Sequence, residues 1–287
     1  MEEFIAKARI LIEALPFIRT FNKKIFVIKC GGAALVDPEQ MRSIMRDVAL
    51  LHFCGIQPIV VHGGGPDISE MCQRLSLPVQ FHEGCRVTDS DTMDIVQMVL
   101  IGKTNKALVN ALNHWGAKGV GISGLDAHCI QAEKASNSNT DLGFVGQISQ
   151  LDLSLIHSLL KENLLPVIAP VGVDPTSGQA YNINADLVAE AIAGALKAEK
   201  LIVLTDVNGL YEDVNDPSTR ISRISKTDLI SLLQEKTIQG GMIPKLQSCL
   251  QALEKGIACV HMIDGKMPHS LLLEIFTDQG IGTLITQ

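Results

Sequence analysis

No run of lysines or arginines stands out in this 287-residue chain, and its formal net charge is −7. A surface built for nucleic acid or for an anionic membrane is therefore disfavoured, and an anionic ligand must be met by a few groups gathered locally. No uncharged apolar stretch approaches the ~18 residues that span a bilayer, and the opening Met-Glu-Glu is unlike a basic-then-apolar leader. A cytoplasmic protein, neither secreted nor membrane-spanning, is expected. The seven cysteines (Cys30, Cys54, Cys72, Cys85, Cys129, Cys249 and Cys259) include no CxxC pair, and several stand among apolar neighbours, as reduced thiols packed like small hydrophobes would. Neither glycine cluster, Gly31-Gly32 or Gly63-Gly64-Gly65, fits GxxxxGK[ST] or GxGxxG, which argues against a P-loop or a dinucleotide fingerprint there. No metal-ligand cluster is apparent. What the chain does have is 46% hydrophobic residues, over a length sufficient for one large domain or two lobes with a substantial core.

Residues 2–20 carry apolar side chains at Phe4, Ala8, Leu11, Leu15 and Ile18, the stripe of an amphipathic helix that Pro16 should kink. Such a helix needs something to cover, either its own domain or another subunit. Ile25-Phe-Val-Ile28 reads as a buried strand, followed by Lys29-Cys-Gly-Gly32 and, after Asp37-Pro38, a helix to about Phe53. The unit then repeats, with strand Pro58-Ile-Val-Val61, turn His62-Gly-Gly-Gly-Pro66 and a helix near 67–75. Two successive strand–turn–helix units predict parallel strands in an α/β sheet. Glycines in these turns let backbone N–H groups approach an anion at a helix start, although a tight turn alone explains them too.

Past Gly84, Thr88 or Asp89 can cap a helix over 91–100, with a second helix over 103–115. Arg86, just before them, reads as a surface ion pair or as a guanidinium able to grip a carboxylate with two bonds. Residues 117–150 read only as short strands and turns. A helix over 153–162 leads to strand Pro166–Ala169, and the Asp174-Pro175 turn is taken as the boundary between a lobe of 24–174 and one of 175–287, behind an arm of 1–23. At the centre stands Asn182-Ile-Asn-Ala-Asp186. Asn184 can cap the helix it opens, and Asp186 in the first turn suits the positive end of the dipole. A sharper reading makes Asp186 the anionic hub between Lys29 and Lys245. Strand Leu201–Leu204 puts Thr205 and Asp206 at its carboxyl end, where open α/β sheets bind ligands and where such residues also simply close turns. Gly240-Gly-Met-Ile-Pro-Lys245 opens the last long helix with Pro244 at its first position, which leaves Lys245 at the end that favours anions.

In order, Lys29-Cys-Gly-Gly32, Val61-His-Gly-Gly-Gly-Pro66, Gly84-Cys-Arg-Val-Thr-Asp89, Asn182-Ile-Asn-Ala-Asp186, Leu204-Thr-Asp-Val-Asn-Gly209 and Gly240-Gly-Met-Ile-Pro-Lys245 resemble the acetylglutamate kinases of the amino-acid kinase family, from about Lys24 to the C-terminus. The resemblance implies a three-layer αβα sandwich around a central, mainly parallel sheet. It implies phosphoryl transfer from ATP with Mg2+ to the side-chain carboxylate of N-acetyl-L-glutamate, in arginine biosynthesis. Lys29 and Lys245 would stabilise the transferring group and Asp186 orient both. Gly64, Gly65, Arg86, Asn182 and Asn184 would bind the acetylated acid. Gly31, Gly32, Thr205, Asp206, Gly209, Tyr211, Gly240 and Gly241 would bind the nucleotide, with magnesium held by phosphate oxygens and water rather than by protein ligands. No general base is needed, since the acceptor carboxylate is already ionised at neutral pH.

The leading helix resembles that of the arginine-inhibited members. The implied assembly is a homo-oligomer of dimers, a hexamer, with L-arginine inhibiting at His261, Glu274 and Gly280 and a signalling protein as a further partner. Phe17 stands where that subgroup often has tyrosine, and Cys30 and Leu125 also depart from the usual residues. Two other readings compete: a kinase of the same superfamily acting on glutamate, aspartate or carbamate, and a non-catalytic arginine-sensing scaffold. Arg86 with Asn182 and Asn184 argues against the first, and the intact Lys29, Asp186 and Lys245 against the second.

Overall fold

The computed structural model describes residues 2–82, 84–136, 140–206, 209–211, 216, 219–234, 242–278 and 280–287. Eight strands form the main sheet: Ile25–Cys30 (β1), Gln57–His62 (β2), Gly119–Ser123 (β3), Leu165–Ala169 (β4), Lys200–Thr205 (β5), Arg223–Ser225 (β6), Cys259–Asp264 (β7) and Thr283–Thr286 (β8). Their order is β6-β8-β7-β5-β1-β2-β4-β3, and every pair is parallel except β7 with β8. The strands are short unbroken runs of Ile, Val and Leu because both faces are covered, as in other parallel sheets.

The helices are Glu2–Glu13 (α1), Leu15–Phe21 (α2), Pro38–Phe53 (α3), Gly65–Arg74 (α4), Ser90–Gln97 (α5), Asn105–His114 (α6), Ser154–Lys161 (α7), Ala185–Ala195 (α8), Lys226–Gln234 (α9), Met242–Glu254 (α10) and Ser270–Phe276 (α11). Apolar residues of α3, α6 and α11 pack on one face of the sheet, against Phe26, Ile28, Val60, Ile202 and Ile263. Those of α7, α8, α9 and α10 pack on the other, against Val27, Ile59, Leu201 and Val260. The result is the expected three-layer αβα sandwich. A smaller four-stranded sheet, Ala180–Asn182, Val171–Val173, Ile130–Lys134 and Gly146–Leu151, takes two strands from the segment near 117–150, whose Gly119–Ser123 joins the main sheet.

Local signals set several boundaries. Asp37 accepts from Glu39 N at 3.0 Å and caps α3, with Pro38 at its first position, while Asp89 accepts from Thr92 N at 2.8 Å and caps α5. The arm is two helices rather than one kinked helix, because Pro16 cannot donate within a continuing helix and instead sits in the first turn of α2. The helices expected over 91–100 and 103–115 are also joined differently. Met98–Thr104 is a π-helical segment running directly from α5 into α6, with no break at Gly102. Lys245 lies in the first turn of α10, which among the described residues begins at Met242, ahead of Pro244. No described helix is long and apolar enough to cross a membrane.

Candidate active site

Register brings the turns together. Lys29 lies level with Val61 of β2 and Val203 of β5, so the three parallel strands end side by side and release Gly31-Gly32, Gly63-Gly64-Gly65 and Thr205-Asp206 along one edge. This is where strand order reverses about β1, the crevice in which open α/β sheets take ligands. The period of two then aims Lys29. Phe26, Ile28 and Cys30 face the α3 layer, so Lys29, like Val27, faces the α8 layer.

There the N-terminus of α8 presents Asp186, whose Oδ1 is 2.8 Å from Lys29 Nζ. Asn184 caps that helix, its Oδ1 accepting from Asp186 N at 2.8 Å. Lys245 takes a different carboxylate. Its Nζ donates to Asp206 Oδ1 at 2.5 Å. That hydrogen bond, helped by the charges of Lys245 and Lys266, holds the Asp206 carboxyl below its ordinary range. The single hub expected at Asp186 is therefore two pairs, because β5 delivers a nearer carboxylate to the mouth of α10. All four side chains nevertheless line one cavity of about 480 Å³, with Gly31, Gly32 and Thr205.

A second cavity of about 450 Å³ is lined by Gly64, Gly65, Arg86, Asn182 and Asn184 among others. The two meet at Asn184 and Leu187, which line both. Arg86 is only 7% exposed, which excludes the surface ion pair. Its Nη2 donates to Gly65 O at 2.9 Å and Ser69 Oγ at 2.7 Å, and the guanidinium lies 4.7 Å from the Phe81 ring centroid. Burial lowers its pKa from the ordinary arginine value. Nη1 is buried with no hydrogen-bond partner among the described residues, a donor pair that calls for an acceptor entering from the cavity. Asn182 is steadied by Thr88, its Nδ2 3.2 Å from Thr88 Oγ1.

The two glycine turns touch. A Cβ on Gly32 would lie 2.8 Å from the ring atom Pro66 Cδ and 3.3 Å from Gly65 N, so close approach dictates glycine there, whereas one on Gly64 would meet the tip of Leu100, at 2.5 Å. Gly32 opens a 3₁₀ turn and Gly65 opens α4, so neither N–H has an intrahelical acceptor. The setting suits an anion between lysines. Cys30 adds no charge there, because burial pushes its thiol up to about 12.

Not every expected residue converges. Gly209 and Tyr211 belong to a ribbon in which Leu210–Tyr211 pairs with Arg220–Ile221, tied to the end of the chain through Leu210 N and Thr283 Oγ1 at 2.8 Å, and neither lines the cavity. Gly240 and Gly241 lie outside the described residues. His261, Glu274 and Gly280 meet elsewhere, in a buried network where His261 Nδ1 is 2.6 Å from Glu274 Oε1. Glu274 Oε2 accepts from Ile281 N at 2.7 Å and Gly282 N at 2.9 Å, and a Cβ on Gly280 would lie 2.8 Å from it. Lys200 Nζ is 2.8 Å from His261 Nε2 and 5.0 Å from the Phe21 ring centroid in α2. Burial lowers the His261 pKa, whereas the hydrogen bonds from His261, Gly282 and Ile281 outweigh burial at Glu274 and hold it below the carboxylate range. Sequence reasoning passed over Leu187 and Ser248, which line the first cavity, because neither belongs to a motif or bears an unusual charge.

The sequence profile of the amino acid kinase family matches residues 24–263. The chain is 50% identical to an acetylglutamate kinase of Symbiobacterium thermophilum over 100% of this chain and 99% of that one, and 48% identical to an acetylglutamate kinase of Methanocaldococcus jannaschii over 100% and 98%. Among solved structures, it resembles N-acetylglutamate synthase from Neisseria gonorrhoeae, complexed with coenzyme A and N-acetyl-glutamate (TM-score 0.85, 24% identity), covering 98% of this chain but 63% of that one. It also resembles carbamate kinase from Giardia lamblia bound to AMP-PNP (TM-score 0.70, 15% identity, 92% and 99% covered). At those identities the structural likenesses speak for the fold.

Proposed function

The chain belongs to the amino acid kinase family and within it to the acetylglutamate kinases, and from that premise we propose how its residues divide the work. The reaction is ATP-dependent phosphorylation of the side-chain carboxylate of N-acetyl-L-glutamate, giving N-acetyl-L-glutamyl 5-phosphate in arginine biosynthesis. Carboxylate and γ-phosphate are both anions, and two unit charges 4 Å apart repel by about 1 kcal/mol in water and about 4 kcal/mol at an effective dielectric of 20. The enzyme has to cancel that repulsion and align the groups.

The acetylated acid occupies the cavity of Arg86, its α-carboxylate taking the unpartnered Nη1, with Asn182 and Asn184 beside the acetylamino group and Gly64 and Gly65 along the chain. The nucleotide occupies the cavity of Thr205, Asp206, Gly31 and Gly32, with Gly209, Tyr211, Gly240 and Gly241 contributing from beyond its described lining. The phosphoryl group passes between them where the cavities meet at Asn184, flanked by Lys29 and Lys245. Asp186 orients Lys29 directly, while Lys245 exchanges Asp206 for phosphate oxygens. Glycine N–H donors add to the electrostatic cage. Magnesium bound with the nucleotide would neutralise charge on the transferring phosphates and would be held mainly by phosphate oxygens and water. The observation that carries this reading is the Lys29–Asp186 pair lining the first cavity, which shares Asn184 and Leu187 with a second that holds a buried guanidinium with an unspent donor.

The lobes follow the same division, 24–174 for acetylglutamate and dimerisation and 175–287 for ATP. Residues 1–23 form an arm that joins dimers into a hexamer, a reading supported by the exposure of Phe4 (69%), Leu11 (73%) and Ile12 (66%) along α1. L-arginine inhibits at the His261–Glu274–Gly280 network, supported by the Lys200–Phe21 contact that joins the arm to it. Acyl-phosphate trapping with hydroxylamine across N-acetylglutamate, glutamate, aspartate and carbamate, with and without arginine, tests both claims. ATP-dependent hydroxamate from N-acetylglutamate alone is expected, reduced by arginine. Preferred turnover of an unacetylated acid refutes the acceptor assignment, and indifference to arginine refutes the effector site.

A further inference from the structure

His62 closes β2 with its ring fully buried, yet it lines neither cavity. Its Nδ1 lies 2.9 Å from Gly63 O and its Nε2 lies 3.2 Å from Asn105 Nδ2. The neighbours of Asn105 fix that amide. Oδ1 accepts from Lys106 Nζ at 3.2 Å, and Nδ2 donates to Val167 O at 2.9 Å, so the second hydrogen of Nδ2 goes to His62 Nε2. Nε2 is then an acceptor, and the ring proton sits on Nδ1, donating to Gly63 O. Gly63 is also pinned on its other side, its N–H donating to Cys30 O at 2.9 Å.

A trans peptide carries its C=O and N–H in opposite directions, so whatever holds the Gly63 carbonyl also aims the Gly64 N–H. Gly64 N makes no hydrogen bond among the described residues and lies 3.5 Å from the Cβ position of Gly32, across the junction of the two turns. We infer that His62 is a positioning residue: with its tautomer fixed by Asn105, it holds the Gly63 carbonyl back so that the Gly64 N–H faces the phosphoryl gap. This deepens the proposed function and rests on the glycine turns being the phosphoryl cradle. The charged groups nearest the ring are Asp67 of α4 and Lys106 of α6, and burial dominates both, keeping the imidazole neutral.

Two amides separate this role from mere packing. The side-chain nitrogen of His62→Asn falls near the place of Nδ1 and keeps a donor for Gly63 O, whereas that of His62→Gln reaches the place of Nε2 and does not. Both disturb a buried site and should lower the melting temperature alike. His62→Asn is expected to keep kcat within about 5-fold, while His62→Gln loses about 100-fold, the worth of one cradle donor, with KM for both substrates within about 3-fold. Equal losses in the two variants, or a kcat for His62→Gln near that of the wild type, overturn the inference. If His62→Gln does not fold, Asn105→Ala decides. Its side chain lines neither cavity, so a several-fold fall in kcat at constant KM supports the relay through His62, and an unchanged kcat overturns it. The wild type in the same assay keeps the two claims apart: no phosphorylation of N-acetylglutamate removes the underlying kinase assignment, whereas an active wild type with an equally active His62→Gln removes only the role of His62.

Discussion

Lys29 and Lys245 meet different carboxylates, and that difference sets distinct expectations for each. Lys29 is largely buried beside Asp186, so removing it deletes a fixed charge, whereas Lys245 is held by a half-exposed Asp206 and must move to act. Lys29→Ala and Lys245→Ala are each expected to lower kcat by about 10²-fold or more with the fold intact by circular dichroism. Near-normal turnover in either purified variant removes its assigned role. Arg86→Lys cannot reproduce a planar fork, so KM for N-acetylglutamate should rise by about 10-fold or more while KM for ATP stays put. A shift in KM for ATP instead would place Arg86 on the wrong substrate. His62 adds a pH dependence. Burial lowers its pKa from 6.5 to about 4, so the unfolded chain binds the proton more readily and acid favours unfolding. Stability is full above pH 6.5 and falls as pH drops towards 4, by about 3 kcal/mol when complete. Urea midpoints between pH 7 and 4.5 check this, and in His62→Asn the acid slope should flatten. A slope equal to the wild type's would show that other groups carry it.

At the scale of elements, the start of α8 serves two ends at once. Asn184 caps the helix through Oδ1, and the same residue lines both cavities. Asn184→Ala should cost about 1 kcal/mol, a fall of about 2–4 °C in melting temperature, together with lost activity. Asn184→Asp keeps a capping oxygen but adds a negative charge between two anionic substrates, so melting should hold while kcat/KM falls by about 10-fold or more. If activity followed melting in both variants, the cap alone would account for Asn184. The π segment Met98–Thr104 shows what a pattern of spacings could not reveal. Its extra residue per turn carries Leu100 against Gly64, and Thr104 Oγ1 reaches Asp67 Oδ2 at 2.9 Å on α4. Apolar periodicity predicts separate helices over 91–100 and 103–115, because backbone hydrogen bonds that slip from i+4 to i+5 leave no mark on it.

For the whole molecule, the roles proposed for the arm and the chain end reach beyond one subunit. Removing residues 1–22 should leave phosphorylation within a few-fold, reduce the mass by light scattering to that of a dimer, and weaken inhibition by arginine, because Phe21 is lost from beside Lys200. An unchanged mass would show that the arm packs on its own subunit. The sequence by itself determined the α/β class, the strand–turn–helix units, the cap at Asn184, and the identity of the six motifs, because each depends on residues adjacent in the chain and on apolar periods of two or 3.6. Tertiary structure alone decided which carboxylate each lysine meets, that the two cavities share Asn184 and Leu187, and that Arg86 keeps a buried donor unspent among the described residues. Those facts rest on strand register and on helices packed across the sheet, where partners dozens to hundreds of residues apart are chosen by distance in space rather than by anything written between them.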